Sequence, residues 1–181
     1  MTYLLDGQES SRLLFRKIRM SDFPLWLEFH SDPRTSVHWI DNYESPEKEC
    51  EKWYQKQFAR YDHNNGGMNA LIEKVTGKLV GHAGLLIQTV DGSQELEIAY
   101  SLLPAFWNKG YASEAAKKCR DFAFENNLAP SLISIISSTN LASEKVALKN
   151  SMQKQKETVY NSNRVNIFRI SMADWAAVKN P

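Results

Sequence analysis

The segment running from Glu95 to Ala123 constrains the fold of this 181-residue chain more than any other. Glu95-Leu96-Glu97-Ile98-Ala99-Tyr100-Ser101-Leu102 alternates polar and apolar residues, the pattern of a half-buried strand, and Pro104 ends it. Trp107-Asn108-Lys109-Gly110-Tyr111-Ala112-Ser113 follows as a turn in which Gly110 admits a backbone conformation closed to most residues. Ala112, Ala115, Ala116, Cys119, Phe122 and Ala123 then recur at helical spacing. Small residues on that face let the helix lie close to a sheet. A glycine turn that opens a helix also lets successive amide N–H groups converge on one anion, which suits a pyrophosphate. Such turns equally join strands to helices without binding anything, so other residues must decide.

Two phosphate motifs are excluded. Lys109-Gly110 reverses the Gly-Lys order of a Walker loop, and the Gly-x-Gly-x-x-Gly dinucleotide fingerprint is absent. Gly110-x-Ala112 instead matches the ending of the acetyl-coenzyme A turn of the GNAT superfamily, Gln/Arg-x-x-Gly-x-Gly/Ala, with Trp107 at the Gln/Arg position. The whole stretch resembles the Trp-Gly-Lys-Gly-Tyr-Ala-Thr-Glu-Ala form typical of the branch containing the RimJ and RimL ribosomal-protein N-terminal acetyltransferases, differing at Asn108 and Ser113. Glu97-Ile98-Ala99-Tyr100 resembles the family's Glu-Ile-Gly-Tyr, and Asn140-x-x-Ser143 its Asn-x-x-Ser. The likeness runs from Leu13-Leu14-Phe15-Arg16 and Asp22 to Asp174-Trp175, in the family's order.

Other elements follow from local signals. Leu13 to Arg19 is expected as a strand, with Ser21 capping a helix that carries Pro24 in its first turn and ends near Ser31 before Asp32-Pro33. Ser45-Pro46-Glu47 starts a second helix with the apolar stripe Cys50, Trp53, Tyr54, Phe58 and Tyr61. Met68 to Glu73 and Lys78 to Thr89 are expected as strands joined around Thr76-Gly77, with a further turn at Asp91-Gly92-Ser93. The long helix closes near Asn126-Asn127, and Leu132 to Ile136 is a buried strand. Asn140 caps a fourth helix, and Val159-Tyr160 and Val165 to Met172 flank a turn at Asn161-Ser162-Asn163. This order predicts an α/β or α+β layer fold around a mixed sheet. The resemblance sharpens it to a GNAT-like, mostly antiparallel sheet of about seven strands flanked by about four helices, splayed between strands 4 and 5 to form a cofactor cleft.

A single acetyltransferase domain over residues 1–181 is expected, since the length buries a substantial core and no repeat or linker interrupts it. A formal net charge of +1 makes no electrostatic case for nucleic acid or an anionic membrane, and Lys117, Lys118 and Arg120 fit a solvated helix face. Cys50 and Cys119 sit on separate helices as buried thiols, consistent with a reducing compartment. No signal peptide or membrane span is evident, so a cytoplasmic protein is expected. His30, His38, His63 and His82 lack metal-site spacing, and no metal is expected.

The resemblance implies direct transfer of an acetyl group from acetyl-CoA to a primary amine, with CoA as product and no acyl-enzyme. Its cofactor residues would be Leu102, Leu103, Trp107, Asn108, Lys109, Gly110, Tyr111, Ala112, Ser113, Asn140 and Ser143, with an oxyanion donor among the backbone N–H groups around Leu102. The base candidates are Glu97, then Glu95 on the same strand face, then His82 in Gly81-His82-Ala83-Gly84; each could equally be an ordinary strand residue. Many relatives place an acidic tyrosine seven residues after the Asn; here that position is Ala147, which leaves Ser143 to hydrogen-bond the leaving sulfur. Ser151-Met152 replaces the family's Gly-Phe, and Ala99 its strand glycine. The preferred acceptor is a protein or peptide N-terminal α-amine, whose pKa of about 7.7 to 8.0 leaves it substantially neutral at about pH 7.5. Small-molecule amines (polyamine, amino sugar, antibiotic) are the alternative, and a non-catalytic CoA-binding module the rival of another class; Trp26, Trp39, Tyr43 and Trp53 do not separate them. Relatives are often dimers, so a homodimer is one expected state.

Overall fold

The computed structural model describes residues 2–39 and 42–179. Seven strands form one sheet: β1 (Leu13–Lys17), β2 (Gly66–Glu73), β3 (Leu79–Val90), β4 (Ser93–Leu102), β5 (Ser131–Ser137), β6 (Gln153–Tyr160) and β7 (Asn163–Ser171), in the order β1-β2-β3-β4-β5-β7-β6. All pairs are antiparallel except β4 and β5, which run parallel. Among the described residues five α-helices accompany them: α1 (Phe23–Ser31), α2 (Pro46–Asp62), α3 (Tyr111–Glu125), α4 (Leu141–Lys149) and α5 (Met172–Lys179). Among the described residues no helix is long and apolar enough to cross a membrane.

Strand periodicity sorts the core onto two faces. Leu71 and Val80 join a cluster with α3 and Ala147 of α4, whereas their neighbours Ala70 and Leu79 join Trp26 of α1 and Cys50 and Tyr54 of α2. On β4, Leu96, Ile98 and Leu102 point to the α3 side, so Glu95, Glu97, Ala99 and Ser101 point to the α1/α2 side. Of the four alanines expected to bring α3 close, Ala115, Ala116 and Ala123 are buried and Ala112 is half-buried against the same cluster.

Several boundaries differ from expectation. Ser21 lies inside a 3-10 turn (Met20–Asp22), and Asp22 stands at the N-cap of α1 with its carboxylate held by Arg16 through two bonds of 2.7 Å. β1 stops at Lys17, and β2 starts two residues early at Gly66. β6 begins at Gln153, not Val159: its first half, Gln153-Lys154-Gln155-Lys156-Glu157, is an exposed edge strand in which charge replaces alternation. α5 follows β7 directly, where only a strand ending at Met172 was expected, and Trp175 packs against Phe124. Arg120, expected on a solvated face, is buried and donates to the Asn150 carbonyl at 3.0 Å. Two hairpin turns follow their sequence signals closely. Asp91-Gly92 and Asn161-Ser162 are two-residue turns with positive φ at both positions.

Candidate active site

The parallel pair β4/β5 barely pairs: among the described residues its register consists of Glu97 opposite Ile133. Beyond that point the strands part, spanned by the Ser134 hydroxyl, which donates to the Ile98 carbonyl at 2.9 Å, and by the Ile135 backbone N–H, which donates to the Glu97 carboxylate. The edge of β4 from Ala99 to Leu102 therefore opens into a cleft. Two helix starts flank it.

The first is the turn into α3. Asn108 (φ 59°) and Gly110 (φ 83°) are both left-handed, a conformation that asparagine and glycine tolerate best. Gly110 is the N-cap and no side chain caps the helix, so the first amides of α3 remain open to an anion. The turn is braced from outside. Glu114 accepts from the Ser10 hydroxyl, the Arg12 backbone N–H and Arg12 Nε, each at 2.7 Å, while Arg12 Nη1 donates to the Lys109 carbonyl at 3.0 Å. Tyr111 donates its hydroxyl to Glu73. Trp107 spends its indole N–H on the Leu102 carbonyl at 2.7 Å, pinning the turn to the end of β4. Leu103, expected at the cofactor, gives its N–H to the Val80 carbonyl at 3.0 Å and faces the α1/α2 cluster, so that amide has no donor to offer.

The second is the start of α4. Asn140 caps it, its side-chain oxygen accepting from the Ser143 N–H at 3.0 Å. Tyr100, quoted in the strand motif but given no role, donates its hydroxyl to the Ser143 carbonyl at 3.0 Å, tying β4 to α4; burial raises its pKa. Ser151 adopts φ 63°, where the relatives' glycine would be at ease, and Met152 is buried with its Sδ near the Ser134 hydroxyl.

Across β4, on the α1/α2 side, a cavity of about 230 Å³ is lined by Trp39, Trp53, Lys56, Gln57, Met68, Leu86, Gln88, Glu97, Ala99, Ile135, Tyr160 and Asn161. Glu97 is 8% exposed, and burial raises its carboxyl pKa against the opposing hydrogen bond from Gln88 Nε2 at 2.7 Å. The three base candidates do not converge. Glu95 shares Glu97's face but is locked in a bidentate ion pair with Arg169, at 2.5 and 3.0 Å. His82 is fully buried, packed edge-on against Trp26 with ring centroids 4.2 Å apart and tilted against Trp53 at 4.7 Å, and neither ring nitrogen has a partner among the described residues. Burial pushes its pKa down to about 3, so it stays neutral and out of reach.

The segment after α1 bridges the two sides. Arg34 lies over the Trp107 ring, 5.3 Å from its centroid, and His38 Nδ1 is 2.9 Å from the Thr139 hydroxyl beside the α4 cap. A larger open hollow, about 830 Å³, lies beside Leu25, Glu28 and Pro104, but it includes neither Glu97 nor the 107–113 turn, and its Asp32 and Arg34 are already paired.

A seven-stranded sheet with one splayed parallel pair, an uncapped glycine turn at its mouth and a carboxylate on the opposite face defines an N-acetyltransferase architecture. The sequence profile of the acetyltransferase (GNAT) domain matches residues 12–153, and the chain belongs to that family, whose acetyl donor is acetyl-CoA. In Bacillus subtilis (strain 168) it is 33% identical to the uncharacterized protein YkkB over 84 residues, 46% of this chain and about half (49%) of that one. It is 26% identical to the uncharacterized N-acetyltransferase YoaA over 148 residues, 81% of this chain and 82% of the relative. Among solved structures, an acetyltransferase from Agrobacterium tumefaciens str. C58 superposes with a TM-score of 0.77 at 24% identity, covering 94% of this chain and 96% of the other. RimL, a ribosomal L7/L12 α-N-protein acetyltransferase in complex with coenzyme A, gives 0.72 at 16% (91% and 97%). Spermidine N-acetyltransferase from Vibrio cholerae, in complex with CoA and spermine, gives 0.71 at 16% (92% and 99%). At these identities the likeness is one of fold.

Proposed function

We propose that this chain transfers the acetyl group of acetyl-CoA to the α-amine of a peptide or protein N-terminus, with Glu97 as the base. The observation that carries this is the buried Glu97 carboxylate in the small cavity, directly across β4 from the cleft. The cleft fits the donor because its polar lining is open where the donor needs it. The uncapped amides of Tyr111, Ala112 and Ser113 would hold the pyrophosphate, and the Ser143 hydroxyl, on the anchored first turn of α4, would face the sulfur. Acetyl-CoA supplies an activated thioester; the chain orients the amine and removes its proton.

A raised carboxyl pKa suits that task, since a base whose pKa approaches the working pH takes a proton without losing driving force. The acceptor preference rests on Lys56. It lines the same cavity as Glu97, so one ammonium is welcome there and a second is repelled, which favours a mono-cationic α-amine over a polyamine. RimL and the spermidine enzyme share this fold, so fold alone does not choose.

The test is thiol release from acetyl-CoA with three acceptors: a serine-initiated hexapeptide, spermidine and glucosamine. The expected result is fastest turnover of the peptide. Preference for spermidine or glucosamine would overturn the acceptor assignment, and CoA binding without turnover of any amine would favour the non-catalytic module.

A further inference from the structure

Glu95 and Glu97 are two residues apart on one face of β4, yet an arginine reaches them differently. Arg169 grips both oxygens of Glu95 directly. Arg60 of α2 reaches Glu97 only through an amide: its Nη2 donates to Gln88 Oε1 at 2.9 Å, and Gln88 Nε2 donates to Glu97 Oε2 at 2.7 Å. Arg60 is itself fixed, with Nη1 donating to the carbonyls of Asn65 and Ile87 at 3.1 Å each.

Hydrogen-bond polarity makes this relay directional. A guanidinium only donates, so Gln88 must turn its oxygen toward Arg60 and its NH₂ toward Glu97. The NH₂ only donates, so Glu97 Oε2 must accept and cannot carry a proton on that side. We propose that Gln88 and Arg60 are positioning residues which reserve Glu97 Oε2 as an acceptor and leave Oε1 as the atom that takes the acceptor's proton. In that step an N–H bond of the incoming ammonium breaks, Oε1–H forms, and the electron pair stays on nitrogen for attack. The proposal rests on Glu97 being the base.

The other groups around Glu97 are Lys56 on α2, Tyr160 on β6 and the Ile135 backbone N–H on β5, which itself donates to the carboxylate, while Tyr100 lies on the other face of β4. Among the described residues the Gln88 amide bonds to Arg60 and Glu97, so changing the relay isolates it. The experiment is a ¹³C NMR titration of the Glu97 carboxyl, assigned by its loss in Glu97→Gln. It would be run on the wild type, Gln88→Leu, Arg60→Met and Arg60→Lys, with Gln88→Met replacing the leucine variant if that fails to fold. Losing a donor to the charged form should raise the Glu97 pKa by about one unit in Gln88→Leu and Arg60→Met. Arg60→Lys, which keeps a cationic donor for Gln88 Oε1, should restore it. The acid limb of thiol release with the serine-initiated hexapeptide should move upward in step. An unchanged Glu97 pKa in Gln88→Leu overturns the relay. A Glu97→Gln enzyme of wild-type rate overturns Glu97 as base and is a separate failure, because the titration does not depend on turnover.

Discussion

The turn that opens α3 and the cavity around Glu97 flank the same strand and are built in opposite ways. The turn is nearly contiguous: Trp107 to Ser113 supply its backbone, braced by contacts from Ser10, Arg12, Arg34, Glu73, Leu102 and Asn150. The cavity draws on α2, β2, β3, β4, β5, β6 and the segment before α2, and its central carboxylate depends on a side chain of β3 held by one of α2. An anion needs only several N–H groups aimed at one point, and a short backbone turn supplies them. A base needs a carboxyl that is desolvated and oriented at once, and no single element can wall it off.

Substitutions should therefore separate the two regions. Gly110→Asp should have the largest effect. It places a carboxylate at the open amides, in a backbone conformation unfavourable for a side chain, and its Cβ would sit 3.4 Å from Arg12 Nη2, drawing that guanidinium from its brace. Titration calorimetry should show CoA affinity falling about 1,000-fold, from a charge repulsion of roughly 4 kcal/mol at an effective dielectric constant of about 20. Retained affinity in a folded variant would remove the turn from the cofactor site.

Glu97→Gln should lower kcat about 100-fold and leave the CoA Kd unchanged, the reverse selectivity. A matching loss of CoA affinity would show that the cavity and the cleft are one site energetically. Glu114→Ala is subtler. It removes three hydrogen bonds to a carboxylate that braces the turn, and should raise the CoA Kd about tenfold with kcat at saturation intact.

The last effect is on stability alone and concerns His82. Its folded pKa lies below its ordinary value, so the unfolded chain binds the extra proton between about pH 6.5 and about pH 3. Its contribution to stability is thus complete above pH 6.5 and is lost as the pH falls toward 3. His82→Leu should flatten the fall in unfolding free energy between pH 6 and pH 4 by about 1.4 kcal/mol per pH unit, one proton's worth, as read by urea titration. An unchanged slope would mean that His82 is already protonated in the fold.

Legibility in the sequence follows the same division. Gly110, Asn140, Ser45 and the two-residue turns are readable because their structural role is local: a cap or a left-handed turn is set by the residue and its neighbours. Glu97 was ranked ahead of Glu95 and His82 by resemblance alone. Alternation puts Glu95 and Glu97 on one face, but nothing near either announces that Arg169, 74 residues away, would pair with Glu95. Gln88 and Arg60 carry no local signal, because a polar residue in an alternating strand, or an arginine on a helix, has many ordinary uses; Tyr100 stands in the strand motif, but its bond to α4 is not legible there. The start of β6 was missed because an edge strand rich in lysine and glutamine has no apolar period to detect.

The sequence by itself determined the order of the main strands and helices, the sheet-facing alanines of α3, the glycine at its N-cap and the family motifs in their sequence. All of these depend on backbone conformation and periodicity within short windows. Only the tertiary structure decided which carboxylate is desolvated and which is paired, that His82 is sealed beneath two tryptophans, and where β4 and β5 part. Burial, ion pairing and strand separation depend on residues brought together from far along the chain, and their chemistry exists only once the sheet has formed.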